Sequence, residues 1–123
     1  MKYTLAFLLL FLASNVSADV VSVQKNITTR EPTVRGNIEA VFWNEPRMVS
    51  IVNCESGFNQ FKNGKPLISR TSDVGVMQIN QVHWKRAKSL GLDIFNSASD
   101  NIRMGKLILK EQGIKAWTCN RLV

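Results

Sequence analysis

The chain has 123 residues and carries 16 basic against 9 acidic side chains, a net charge of +7 at neutral pH. That length fits a single domain. With two cysteines and one histidine, no Cys/His spacing for zinc exists, and neither a metal nor another cofactor is expected. His83 would have to serve any histidine-based triad, but nothing places a nucleophile beside it, and it reads as a surface or packing residue.

Residues 1–18 read as a signal peptide. A short basic start, Met1-Lys2, leads into an apolar run from Leu5 to Ala13, too short to span a bilayer. Val16-Ser17-Ala18 supplies small residues before a cleavage point at Asp19; an uncleaved N-terminal anchor is the competing reading. Loss of Lys2, the only charge there, takes +7 to +6. Export argues against nucleic acid as the partner of this basic chain. It favours an anionic cell-wall polymer or an acidic membrane surface, with solvated charge and no partner as the bland alternative. No second apolar run is long enough for a stable membrane span, and a monomer is expected. In an oxidising compartment Cys54 and Cys119 pair; otherwise they stand as two isolated buried thiols.

Residues 19–35, "DVVSVQKNITTREPTVR", are polar with scattered valines and read as a flexible N-terminal arm. Asn26-Ile27-Thr28 matches a short glycosylation sequon. From Gly36 onward (36–123) the pattern becomes that of a folded domain. Ile38, Val41 and Phe42 are spaced as on a helix ending before Pro46, which suits the first turn of the next one. In "PRMVSIVNCES" the apolar stripe Met48, Ile51, Val52 continues at Glu55, three residues on. That carboxylate therefore faces the core or a cleft. Gly57 stops the helix.

Asn63-Gly64 is a hairpin turn signal, predicting a small irregular β region with polar residues along one wall. "QVHWKRAKSLG" reads as a short helix stopped by Gly91. A further helix is capped near Ser97 to Asp100 and ends at Gly113, with Ile102, Met104, Leu107, Ile108 and Leu109 as its apolar positions. Gly105 lowers helix propensity within it, so close packing must require it. Asn101 reads as a cap or brace for this helix; Val76 and Met77 read as core. The fold class is α+β, mainly helical.

Four segments stand in order: "ESGFN" at 55–59, "GVMQIN" at 75–80, "NIRMG" at 101–105 and "AWTCN" at 116–120. Over residues 45–118 this resembles the lysozyme-like superfamily, most closely the lytic transglycosylases with a soluble-lytic-transglycosylase domain. The resemblance implies a lysozyme-like fold with a glycan-binding cleft between the helical body and the hairpin wall. It implies peptidoglycan as substrate and cleavage of the β-1,4 bond between N-acetylmuramic acid and N-acetylglucosamine. Glu55 would act as general acid and then as base, closing the muramic acid's C6 oxygen onto C1 to leave a 1,6-anhydro end. The residue chemistry agrees: a carboxylic acid delivers a proton near neutral pH only where desolvation disfavours its charged form, and an apolar stripe at a helix end offers that environment.

Two departures from the family pattern bear on the reaction. Asp73 stands two residues before Gly75, where many transglycosylases carry a small residue and animal-type lysozymes an Asp. It is either a second catalytic carboxylate, making the protein a muramidase-type lysozyme, or a loop Asp bonding its own backbone. The only tyrosine is Tyr3, so the catalytic-site tyrosine of many transglycosylases is missing. Trp117 is placed to stack on a sugar or to pack in the core. Ser56, Gln78 and Asn80 are candidates for substrate binding, each with a structural alternative. Small exported domains of this kind often serve secretion, conjugation or pilus machines. A non-catalytic wall-binding or assembly factor is the reading from another class.

Overall fold

The computed structural model describes residues 33–123. The expected signal peptide, the sequon match and all but the end of the expected arm lie outside the described residues. Helix α1, Val34–Val41, starts two residues inside the expected arm. Thr33 sets this start, because its side-chain oxygen accepts the Gly36 amide at 3.1 Å and satisfies an N-terminal donor that the helix itself cannot. Helix α2, Arg47–Ser56, follows Pro46 and is closed by Gly57 in the left-handed conformation, φ 60°. Its buried residues are Met48, Ile51 and Val52, the stripe that the spacing predicts.

Strands β1 (Phe61–Lys62) and β2 (Lys65–Pro66) pair antiparallel, Phe61 opposite Pro66. Asn63 and Gly64 both have positive φ, 52° and 73°, as a tight primed hairpin turn requires. A second two-stranded sheet joins β3 (Asp73–Val74) to β4 (Ile79–Asn80), with Asp73 opposite Asn80. A single bridge from Ile68 to Val74 connects the two hairpin regions. After a 3₁₀ turn at Gln81–His83 comes α3, Trp84–Ser89, and then α4, Ala98–Gln112, whose cap Ser97 accepts the Asp100 amide. Two short 3₁₀ segments, Gly113–Ala116 and Thr118–Arg121, carry the tail. Helix accounts for 55% of the described residues, which makes the fold α+β and mainly helical as expected. Among the described residues no helix is long and apolar enough to cross a membrane.

The core joins α1 and α2 (Ile38, Phe42, Met48, Ile51, Val52) to the β3–β4 segment (Val74, Val76, Met77, Ile79) and to α4 (Ile102, Met104, Ile108). Leu107 and Leu109 are only partly buried against it. Gly105 sits where α4 crosses the buried Met77: a Cβ there would lie 2.5 Å from Met77 Cε and 2.9 Å from its Cγ. At an open helix position Gly→Ala stabilises by about 1 kcal/mol. Here overpacking, about 1–3 kcal/mol, opposes that gain. Gly105→Ala is therefore expected to destabilise by about 1 kcal/mol net, and a denaturant titration with unchanged slope checks the sign.

Candidate active site

A cleft runs between the β3–β4 hairpin and the helical body. Asp73, Gln78, Ile79, Asn80 and His83 line one side; Glu55, Ile108, Gln112, Ala116, Trp117 and Thr118 line the other. Glu55 is in the last turn of α2 and half-buried. The backbone amide of Cys119 donates to its Oε1 at 2.9 Å. Cys54, the residue before Glu55, is disulfide-bonded to Cys119, with Cα atoms 6.0 Å apart. One covalent and one hydrogen bond thus fasten the end of α2 to the tail. The stripe brings the Glu55 side chain to the cleft edge, where a tail amide meets it.

Asp73 faces the same cleft and is wrapped in donors. Ser69 Oγ donates to Oδ2 at 2.7 Å, the Thr71 hydroxyl donates to the same oxygen, and Asn80 Nδ2 donates to Oδ1 at 2.8 Å. Burial pushes the carboxyl up, but the hydrogen bonds from Thr71, Asn80 and Ser69 outweigh it and hold it below its ordinary value. Asp73 is therefore ionised near neutral pH. A depressed folded-state value adds stability above the ordinary carboxylate range, and that stability is lost as pH falls through the folded value. Ser69 Oγ also accepts the amides of Asp73 and Thr71, so the Asp is also part of its own turn.

The connection Gly75–Gln78 is held by side chains on every side. Gln60, 4% exposed, takes the Val76 amide on Oε1 at 3.0 Å, and Ser56 Oγ donates to the Val76 carbonyl at 2.6 Å. Asn101, fully buried, takes the Met77 amide on Oδ1 at 2.8 Å, and Trp117 Nε1 donates to the Met77 carbonyl at 2.7 Å. Buried peptide groups need such partners. Gly75 has φ +75°, and a Cβ there would stand 2.3 Å from Asn101 Nδ2, so the two buried amides close over a position only glycine fits.

The candidates drawn from sequence thus divide. Glu55, Asp73, Gln78, Asn80 and Trp117 share the cleft lining. Ser56 is turned into the backbone of the opposite wall. Trp117 is 4% exposed, so its ring belongs mainly to the core beneath the cleft. Gln78 donates to the Gly75 carbonyl, and Asn80 also accepts the Val82 amide. Gln112 and Thr118 line the cleft without having been singled out from sequence, and His83, expected as a surface or packing residue, lines it as well. Gln60 was missed as well, for a lone polar residue in an irregular loop carries no periodicity. Asp73 was read as a second catalytic carboxylate or as a loop Asp bonding its own backbone, and the Ser69 and Thr71 hydroxyls that hold it were not singled out. Among the described residues no group of three or more His, Cys, Asp or Glu is placed to hold a metal ion.

A glutamate at a helix end thus faces a small antiparallel hairpin across a cleft. Residues 38–117 match the family model described as the transglycosylase SLT domain. The chain belongs to that family, the lytic transglycosylases of the lysozyme-like superfamily. No curated protein and no solved structure gave a match. The α+β architecture with small hairpins is that of the lysozyme-like fold.

Proposed function

We propose that the protein is an exported lytic transglycosylase that cuts peptidoglycan between N-acetylmuramic acid and N-acetylglucosamine and leaves 1,6-anhydro ends. The observation that carries this reading is the placement of Glu55 in the cleft within the matched family segment. With Oε1 anchored by the Cys119 amide, proton transfer falls to Oε2. Glu55 protonates the leaving oxygen as the C1–O bond breaks and positive charge builds on the muramic acid ring. The carboxylate so formed takes the proton of the C6 hydroxyl, and O6 closes on C1. Water is not consumed, and the acid is regenerated. The basic surface attracts the anionic wall polymer. The disulfide accords with an oxidising compartment outside the cytosol, where an envelope-spanning machine is a further partner class.

A hydrolytic reading draws on one specific observation: Asp73 lines the same cleft and is held ionised. In hydrolases a second carboxylate commonly serves as nucleophile or stabiliser. The two readings separate in one experiment. Purified peptidoglycan is digested and the released fragments are weighed, with Asp73→Asn run alongside. Transglycosylation gives fragments one water lighter than reducing ends and an Asp73→Asn rate within about tenfold of the parent, because the neighbouring hydroxyls reorient around an amide. Water-containing reducing ends, with most activity lost in the variant, assign the enzyme to the hydrolases instead.

A further inference from the structure

Behind the hairpin wall of the cleft lies a second pocket, of about 600 Å³. Its lining is largely apolar: Leu92, Ile94 and the edge-to-face pair Trp84 and Phe95, whose ring centroids are 4.9 Å apart. Lys85 and Lys88 stand at its rim on α3, and neither is in an ion pair among the described residues. The one lining acid, Asp93, is already engaged by its own turn, accepting from the Asn96 and Phe95 amides and from the Asn96 side chain. Leu92 is shared with a neighbouring depression lined by Arg103 and Lys106, beside the half-exposed Leu90. The surface therefore couples a concave apolar hollow to a cationic margin.

We propose that this pocket docks an acidic segment of a partner protein, seating one large apolar side chain against Trp84 and Phe95 and its carboxylates on Lys85 and Lys88. Charge complementarity selects the acidic character. Concavity selects a protruding side chain, as in anchor-and-pocket recognition, over a lipid surface, which calls for an apolar protrusion on the protein. This assignment does not depend on the catalytic reading of the cleft. The pocket is also tied to the cleft wall. Trp84 Nε1 donates to the Ile79 carbonyl at 3.0 Å. Gln60 Nε2 donates to the carbonyls of Ile94 and Phe95, and Asn101 Nδ2 donates to that of Ile94. The opposite ends of those two amides hold Val76 and Met77. An occupant that steadies Ile94 and Phe95 thereby steadies the wall.

The test uses the full chain and reads binding by calorimetry, because Trp43 and Trp117 would both contribute to any fluorescence from Trp84. The probe is a capped peptide with one phenylalanine between two pairs of glutamates. The expected result is saturable binding, together with slower amide hydrogen exchange at Val76 and Met77. Reversing both exposed lysines, Lys85→Glu with Lys88→Glu, should weaken binding by about tenfold while leaving the melting temperature unchanged. Replacing the peptide's phenylalanine by alanine should abolish binding. Absence of saturable binding, binding indifferent to the lysines or to the phenylalanine, unaltered exchange at Val76 and Met77, or preference for phosphatidylglycerol vesicles over the peptide would each overturn the proposal.

Discussion

Replacing Glu55 by glutamine is expected to slow glycan cleavage by roughly 10²- to 10⁴-fold, the usual contribution of a positioned acid–base group. The stability of the fold should hardly change. Glutamine has nearly the same shape, and its side-chain carbonyl still accepts the Cys119 amide that Glu55 accepts at 2.9 Å. The loss therefore reports chemistry rather than folding, and coincident melting curves establish that control. Asp73 cannot stand in, because its hydrogen bonds hold it ionised near neutral pH and an ionised carboxylate has no proton to give. The measurement is the rate of fragment release from purified peptidoglycan under identical conditions for both proteins. Parent-like rates in the glutamine variant would remove Glu55 from the chemistry altogether. A dead variant that still binds wall and still complements a deletion would instead make assembly or wall binding the biological task.

The parts of this molecule that sequence made legible are those governed by local rules. The stripe Met48, Ile51, Val52 and its stop at Gly57 follow from helical period and a left-handed cap. The Asn63–Gly64 turn follows from the need for positive φ at two successive residues. Gly105 followed from the mismatch between helix propensity and an otherwise continuous helix, and Met77 proves to be what occupies the missing Cβ. The site was legible only in part. Period alone carried Glu55 to the core-facing side, but the group that meets it, the Cys119 amide, is 64 residues away. Ser56 and Trp117 show the same limit. Each has a donor suited to a sugar, yet each spends it on a carbonyl of the wall segment. Asn101 was readable as a brace, but its partners on the hairpin were not. Such pairings come from tertiary packing, which a single chain read residue by residue does not encode in any period.

Removal of the Cys54–Cys119 bridge should have the largest effect on stability. The bridge spans a sequence separation of 65, and closing a loop of that length is worth about 4 kcal/mol in the chain-entropy account. A small domain has only about 5–15 kcal/mol in total, so the doubly substituted Cys54→Ser, Cys119→Ser protein should be marginal. The expected fall in melting temperature is roughly 15–30 °C. Other contacts hold the tail, among them Trp117 Nε1 to the Met77 carbonyl and Arg47 to the Asn120 carbonyl at 3.1 Å. Those contacts act in the folded state and leave the unfolded chain as free as before, so they do not replace the constraint of the bridge. The catalytic consequence comes with the structural one, because the amide held beside Glu55 belongs to Cys119 itself. At a temperature where the serine variant is still folded, slower fragment release than in the parent would show that the bridge positions the acid as well as stabilising the fold. Equal rates there would confine its role to stability, and equal melting temperatures would mean that the unfolded chain is already restricted by other means.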